Sequence, residues 1–151
     1  MLTSSGPKVI EFNCRFGDPE CQSLMALMGP ELAQVLLGCA LGCLNQAPKL
    51  SIKKQCSACV VAAASGYPEA ARENDPVDIQ LVSNDSVQVF HAGTSFNQHG
   101  ELVTSGGRVL SVVAQADSFE KAFTNAYDSL KKIHFPGINY RLDIGHQIRK
   151  S

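Results

Sequence analysis

Residues 9–20, VIEFNCRFGDPE, constrain the fold of this chain more tightly than any other segment. Apolar and polar side chains alternate at its start, and on an extended strand every second side chain lies on the same face. The pattern predicts a strand whose apolar face packs into a core, with side chains from Ile10, Phe12 and Cys14. The Gly-Asp-Pro sequence at residues 17–19 then predicts a tight turn before a helix.

The other face of the predicted strand carries three polar groups, which are Glu11, Asn13 and Arg15. Successive groups on that face lie roughly 7 Å apart. Carboxylate and amide oxygens are hard ligands that suit magnesium, and a neighbouring guanidinium suits a phosphoryl or acyl-phosphate group. A plain solvated face is the alternative, but a strand, a tight turn and a helix start together form a rigid mount for such groups.

Composition indicates a globular chain for which neither a nucleic acid nor a membrane is an expected partner. Hydrophobic residues make up 44% and charged residues 18% of 151 residues, which fits one domain or a small domain plus part of another. No apolar run reaches the roughly 18 residues of a membrane span, and the start, MLTSSGPK, lacks a signal-peptide pattern. A net charge of −1 gives no reason to expect nucleic acid.

The six cysteines leave two interpretations open. Cys56 and Cys59 have the spacing of zinc and dithiol sites, but strand-like apolar residues surround them and no second pair follows. Buried strand cysteines are the alternative. Because no secretory pattern is present, we expect reduced thiols and a cytoplasmic location.

The first part of the chain predicts a hairpin followed by helices. The expected elements are strands at residues 1–3 and 8–14, helices at residues 21–28 and 31–44, and a linker at residues 46–55. The apolar face of the helix at residues 31–44 needs a partner. This helix is therefore a candidate surface for self-association.

From Cys56 onward the pattern changes to strands separated by Gly, Asn and Pro. Candidate strands cover residues 58–65, 79–82, 87–92, 101–104, 109–116 and 138–143. Ser118 is the expected cap of a helix that runs through Ile133 with apolar residues at helical spacing. Antiparallel strands covered by one helix predict a compact α+β unit.

Five blocks of sequence, taken in order, resemble one known family. They are VIEFNCRFGDPE and, after it, residues 64–68 (ASGYP), 89–94 (VFHAGT), 104–110 (TSGGRVL) and 140–145 (YRLDIG). In this order they resemble the phosphoribosylamine–glycine ligases, also called glycinamide ribonucleotide synthetases, which are ATP-grasp enzymes. The blocks cover nearly the whole chain, so the resemblance does not depend on one motif.

The resemblance implies a fold in two parts. Residues 1–48 would be the carboxy-terminal end of the ATP-grasp domain, with a β-hairpin plus two helices. Residues 49–151 would be the family's C-domain, a small antiparallel, open barrel-like sheet covered by one helix. The family's amino-terminal portion, with its phosphate-binding lysines and glycine-rich loop, has no counterpart here. The chain looks like the carboxy-terminal third of the enzyme, and we expect it to be inactive alone.

The family's reaction joins glycine to 5-phosphoribosylamine through a glycyl phosphate, with ATP hydrolysed to ADP and phosphate, in de novo purine biosynthesis. The resemblance assigns Glu11 and Asn13 to Mg²⁺ (or Mn²⁺) and Arg15 to catalysis beside the transferred phosphoryl group. An ordinary salt bridge is the alternative for Arg15. The implied partners are glycine, 5-phosphoribosylamine, ATP and the missing amino-terminal portion.

Four further residues are candidates for substrate binding, namely Asp18, Glu20, His91 and Arg108. Asp before Pro is also an ordinary turn residue, and Glu is common in the first turn of a helix. For His91 the alternative is a core histidine bonded to backbone. The run at residues 69–76 and the glutamine at position 147 depart from the family pattern, so no family role is assigned there.

Arg141 and Asp143 alternate on the last predicted strand, where an ion pair explains them as well as ligand contact does. For the chain as a whole, the alternative function is a non-catalytic assembly or regulatory module derived from the same family. Such a module would use the helix at residues 31–44 as its interface.

Overall fold

The computed structural model describes residues 1–12, 14–80 and 84–148. These residues form α-helices, one short 3₁₀ helix and antiparallel strands. The helices are α1 (Glu20–Leu27), α2 (Leu32–Ala40) and α3 (Phe119–Leu130), and the 3₁₀ helix is Leu44–Gln46. The strands are β1 (Leu2–Thr3), β2 (Gly6–Pro7), β3 (Cys56–Ala63), β4 (Asp78–Ile79), β5 (Val87–His91), β6 (Thr94–Phe96), β7 (Leu102–Thr104), β8 (Arg108–Ala116) and β9 (Ile133–His134).

A three-stranded antiparallel sheet in the order β3–β8–β5 forms the centre of the fold. Strand β8 lies in the middle, so that Val112 has Val60 on one side and Val89 on the other. After Arg108, every residue of β8 is buried. A strand that is buried on both faces needs a cover on each side of the sheet.

Helix α3 covers one face of this sheet. Its start agrees with the sequence prediction, because the Ser118 hydroxyl accepts a hydrogen bond from the Lys121 N–H at 3.3 Å. Apolar side chains of α3 and of β3 form one core cluster, which includes Ala122, Phe123, Ala126 and Leu130 from the helix and Ala58, Val60 and Ala62 from the strand.

Helix α1 covers the opposite face. It contacts β3 and β8, and its Gln22 lies beside Val61 and Ser111. These two strand residues alternate with the ones that face α3, so they point to the other side of the sheet. Both faces of β8 are therefore covered by helices.

The predicted fold class is confirmed. The described residues form an α+β structure whose antiparallel sheets are not closed, with α3 over the central one. Elements α1, β3, β5, β7 and β8 lie within two residues of their predicted bounds. In the part of the chain that the structure describes, no helix combines the length and the apolar character that crossing a membrane requires.

The strand predicted over residues 8–14 is wrong for the residues that the structure describes. The hairpin turns earlier than expected, so its second strand is Gly6–Pro7. Its last backbone hydrogen bond runs from the Lys8 N–H to the Met1 carbonyl at 2.9 Å. Residues 9–12 have no described strand beside them, and an isolated extended segment has no ladder to hold it. The side chains that we expected in a core are instead exposed. They are those of Ile10, Phe12 and Cys14.

Helix α2 ends four residues before its predicted end, and Gly42 explains why. Gly42 has a φ of 69°, in the left-handed region. The Cys43 N–H donates to the Gly38 carbonyl at 2.8 Å and the Gly42 N–H donates to the Cys39 carbonyl at 3.2 Å. This pair of bonds is a Schellman motif, which ends a helix at such a glycine.

Other elements also differ from the prediction. Ile133, expected at the end of α3, lies in β9 opposite Ile79, where its side chain is 1% exposed. Residues 138–143 form no strand, because Asn139 makes a single bridge to the edge of β3 before the chain turns. Strand β6 was not predicted, and the strand predicted over residues 79–82 extends beyond the described residues.

Leucines on α2 remain on the surface. Leu36, Leu37 and Leu41 are 49%, 58% and 69% exposed, and we call them the α2 surface. A helix that is apolar on several sides is normally buried. The α2 surface is therefore a large apolar patch that the described residues leave uncovered.

Leu130→Ala should lower the free energy of unfolding by about 2–5 kcal/mol, since it leaves a cavity in a packed core. The matched control is Leu36→Ala in α2, where the change should stay within about 0.5 kcal/mol. Urea unfolding followed by circular dichroism measures both. Equal losses at the two positions would contradict the assignment of α3 as the core helix.

Candidate functional site

Asp18 and Arg108, which the sequence indicated separately, form an ion pair in the structure. Arg108 Nη2 lies 2.9 Å from Asp18 Oδ2, and Nη1 donates to the Asp18 carbonyl at 3.5 Å. The Arg108 and Asp18 side chains are 43% and 53% exposed, so water screens the pair and its stabilising effect is small. Its main consequence is geometric, because it places a guanidinium beside the FGDPE turn.

A close approach between two backbone segments positions Arg108 at the start of β8. The Gly93 N–H donates to the Arg108 carbonyl at 2.8 Å, and the Ser105 N–H donates to the Gly93 carbonyl at 2.9 Å. A Cβ atom at Gly93 would lie 2.8 Å from the Arg108 oxygen, which is closer than side chains permit. The VFHAGT block therefore needs glycine at this position, so that the backbone can hold Arg108.

Local hydrogen bonds hold the turn that presents Asp18. Gln22 Nε2 donates to Asp18 Oδ1 at 3.1 Å, and the Gly17 N–H donates to Glu20 Oε1 at 3.0 Å. Glu20 therefore has a structural role at the start of α1, while its predicted contact with substrate stays a prediction. Gln22 was not among the predicted site residues, although its position four residues after Asp18 was a usable signal at a helix start.

The polar trio of the first motif is described only in part. Asn13 lies outside the described residues. Glu11 and Arg15 are exposed, and Arg15 Nη1 donates to the Phe16 carbonyl at 3.0 Å. Among the described residues, no group of three or more His, Cys, Asp and Glu side chains is placed to hold a metal ion. The carboxylate and amide oxygens of Glu11 and Asn13 still match the ligand preference of Mg²⁺, and their metal role stays a prediction.

His91 lies at the same end of the central sheet as Arg108. It is the last residue of β5 and pairs with Leu110, two residues after Arg108 on β8. The imidazole is exposed, and its Nδ1 lies 3.1 Å from Thr94 Oγ1. The alternative of a core histidine is therefore wrong, and His91 is accessible to a ligand.

A cleft of about 320 Å³ opens beside the Asp18–Arg108 pair, and we call it the β3 cleft. One side of β3 forms its floor, and the segment that bridges to β3 through Asn139 forms a wall. Its lining includes Pro19, Val61, Tyr67, Arg108, Tyr140 and Arg141. Sequence reasoning missed the cleft, because Tyr67 and Tyr140 lie in separate motifs and come to line one cleft only through the return of the chain to the edge of β3.

Arg141 forms a bidentate ion pair with Asp143. Its Nε and Nη2 donate to the two carboxylate oxygens at 2.9 Å and 2.7 Å. These hydrogen bonds lower the pKa of Asp143 and raise the pKa of Arg141. The structural ion pair is thus present, and Arg141 also reaches the rim of the β3 cleft.

The CxxC sequence does not form a joint site. Residues three apart on a strand point to opposite faces, so Cys56 packs against the core while Cys59 lines the β3 cleft. Burial raises the pKa of the Cys59 thiol to about 11, and the hydrogen bond with Ser111 opposes this shift while the charge of Asp18 adds to it. The six cysteines are free thiols, and Cys56 and Cys59 are half-buried.

Comparison with known families gives two matches. Residues 57–147 match the family model described as phosphoribosylglycinamide synthetase, C domain. Residues 1–21 match the model described as phosphoribosylglycinamide synthetase, ATP-grasp (A) domain. The first match covers more than half of the chain and contains Arg108 and His91. The second contains the VIEFNCRFGDPE motif.

Curated relatives resemble the chain over nearly its whole length. A phosphoribosylamine–glycine ligase of Caulobacter vibrioides is 43% identical over 96% of the chain and 34% of the relative. A protein of the same name from Nostoc is 41% identical over 98% of the chain and 35% of the relative. A bifunctional purine biosynthetic protein of Schizosaccharomyces pombe is 42% identical over 97% of the chain and 18% of the relative.

A solved structure has the same fold. The crystal structure of phosphoribosylamine–glycine ligase from Thermotoga maritima aligns with a TM-score of 0.80 and 31% identity, over 95% of this chain and 34% of that one. The chain thus spans about a third of the length of the ligases that it matches. On the match over residues 57–147, this chain belongs to the phosphoribosylglycinamide synthetase family.

Proposed function

We propose that this chain supplies the carboxy-terminal part of an ATP-dependent phosphoribosylamine–glycine ligase. The observation that carries the proposal is the match of the C-domain model to residues 57–147. The name shared by the relatives from Caulobacter and Nostoc supports it. We keep residues 1–48 as the end of the ATP-grasp domain and residues 49–151 as the C-domain.

In the proposed reaction, a carboxylate oxygen of glycine attacks the γ-phosphorus of ATP, which yields glycyl phosphate and releases ADP. The amine of 5-phosphoribosylamine then attacks the acyl carbon. Phosphate leaves with the bonding electron pair, the nitrogen loses a proton, and an amide remains. The product serves de novo purine biosynthesis. Negative charge is concentrated at the reacting ends in the first step, so cationic groups must be placed there.

We assign that cationic role to Arg15. Its guanidinium is exposed, and the bond from Nη1 to the Phe16 carbonyl leaves further N–H groups for the transferring phosphoryl oxygens. Glu11 and Asn13 would hold Mg²⁺ or Mn²⁺. When bound, the ion neutralises charge on the β- and γ-phosphates of ATP.

We assign Asp18, Glu20, His91 and Arg108 to the substrate side of the site. The ion pair orients the Arg108 guanidinium, whose remaining N–H groups can donate hydrogen bonds to a substrate oxygen. The Asp18 carboxylate suits an amine, and Glu20 shapes the turn that carries it. His91 adds an exposed donor or acceptor at the same end of the sheet.

The uncovered apolar surface supports a requirement for more protein. Ile10 and Phe12 are 69% and 86% exposed, and the α2 surface is also open. Patches of this kind mark surfaces that another part of a protein covers. We propose that the missing amino-terminal portion of the same enzyme covers them. The free thiols support a cytoplasmic location for the whole enzyme.

The chain alone should show no turnover with glycine, 5-phosphoribosylamine and ATP, because it lacks the phosphate-binding part of the site. A chimera in which it replaces the matching third of the Caulobacter ligase should be active. In that chimera Arg15→Ala should lower kcat by about 10²–10³-fold, because the variant loses a hydrogen-bond donor to the negative charge that develops in the transition state. Release of ADP and of phosphate measures each case.

The control variant in this chimera is Lys121→Ala, which removes an exposed cation on α3 and should leave kcat unchanged. Turnover by the isolated chain would refute its expected inactivity. A chimera that folds but never turns over would refute the proposed function, and equal activity of the Arg15 and Lys121 variants would refute the role of Arg15.

The Asp18–Arg108 pair should contribute weakly to stability. A double-mutant cycle with Asp18→Ala and Arg108→Ala should give a coupling of about 0.2–1 kcal/mol, because both side chains are about half exposed. The coupling should shrink in about 1 M salt, where the Debye length falls to about 3 Å. A coupling that does not respond to salt would contradict the half-exposed pair.

The α2 surface favours a second candidate function, a non-catalytic assembly module that self-associates through residues 31–44. In this case the isolated chain should form dimers or larger species, and Leu41→Glu should return it to a monomer by placing a charge on the patch. Thr124→Glu, which places the same charge at an exposed position of α3, is the control. Sedimentation velocity measures the masses, and a monodisperse monomer at high concentration would count against this function.

A further inference from the structure

We infer that the β3 cleft binds an uncharged planar heteroaromatic ligand of the nucleobase or nucleoside class. The inference uses the lining of the cleft and does not rest on the proposed ligase function. A volume of about 320 Å³ is at the low end of the range for small-molecule pockets, which is about 300–1,000 Å³. The cleft therefore suits a ligand of the size of a base or nucleoside.

The floor of the cleft is apolar and made of short side chains. Cys59, Val61 and Ala63 alternate along β3, so all three point to the side where the cleft lies. Pro19 and Ile144 extend this apolar lining. Short apolar side chains on a strand make a smooth surface, against which the face of a ring packs well.

Two tyrosine rings form part of the walls. The Tyr67 ring packs directly on Gly107, where no room is left for a side chain. The Tyr140 ring lies against Tyr127, with centroids 6.3 Å apart and planes tilted by 40°. Packing therefore holds both rings. Neither the Tyr67 nor the Tyr140 hydroxyl bonds to another described residue, so both are available to a ligand.

The rim supplies hydrogen-bond donors without net charge. Arg108 is balanced by Asp18, and Arg141 is balanced by Asp143. The Nε of Arg108 and the Nη1 of Arg141 are not used in these pairs. Asn139 also lines the cleft. Donors of this kind match the ring nitrogens and carbonyl oxygens of bases.

This balance of charge selects among possible ligands. A sugar phosphate carries about two negative charges and few apolar atoms, so a neutral rim and an apolar floor offer it little. A plain hydrocarbon ring would leave the donors of the rim unpaired. A chain with a net charge of −1 also gives no electrostatic support for a polynucleotide. A free nucleoside can pack its base against the apolar floor and the tyrosine rings, and it can accept hydrogen bonds from the donors of the rim.

Isothermal titration of the 151-residue chain with adenosine tests the inference, with ribose 5-phosphate and indole as comparison ligands. Adenosine should bind saturably, and each comparison ligand should bind about tenfold more weakly or worse. Tyr67→Ala and Tyr140→Ala should each weaken adenosine binding by about fivefold or more, because a stacking surface is lost. Tyr67→Phe and Tyr140→Phe, which keep the rings, should lose less.

The control variant is Phe96→Ala, which removes an aromatic ring that is 74% exposed in β6. It should change adenosine affinity by no more than about twofold. Because Tyr140 is partly buried, the exposed Tyr67 gives an independent test if the Tyr140 variant unfolds. The inference is overturned if adenosine does not bind at about 10 mM, if ribose 5-phosphate or indole binds as tightly, or if Phe96→Ala weakens binding as much as the tyrosine variants do.

Discussion

The burial of β8 on both faces is the constraint on which the rest of this structure depends. Its residues after Arg108 are all buried, which requires a neighbouring strand on each edge and a cover on each face. Strands β3 and β5 and helices α3 and α1 meet these needs. Because burial ends at Arg108, the strand delivers this guanidinium to the surface at a defined place.

The candidate site forms where this strand start meets the turn before α1. The backbone of Gly93 bonds to the backbone of Arg108 and positions it. Gln22, at the start of α1, donates a hydrogen bond to Asp18, and the ion pair joins Asp18 to Arg108. The pair contributes little free energy, and its effect is to bring the two groups together at this point of the surface. The β3 cleft lies next to it because the chain returns along the edge of β3 after α3.

Much of the fold followed from local sequence patterns. The cap at Ser118 and the apolar stripe of α3 were visible because a helix encodes its buried face at short spacing. The strands around Val112 were visible through their β-branched residues. The family resemblance also came from ordered motifs. The end of α2 at Gly42 was missed, although the glycine that causes it stands in the sequence.

Other features depended on residues far apart in the chain. Alternation at residues 9–12 predicted a strand, yet no described strand lies beside it, since a strand needs a partner that its own sequence does not supply. The same holds for residues 138–143, where a single bridge replaces a ladder. The sequence alone determined the family, the central strands and the main helix, because these are encoded by local periodicity and motif order. Only the tertiary structure decided that Asp18 meets Arg108, that Cys56 and Cys59 lie on opposite sides of a sheet, and that two tyrosines line one cleft, because long-range packing sets those distances.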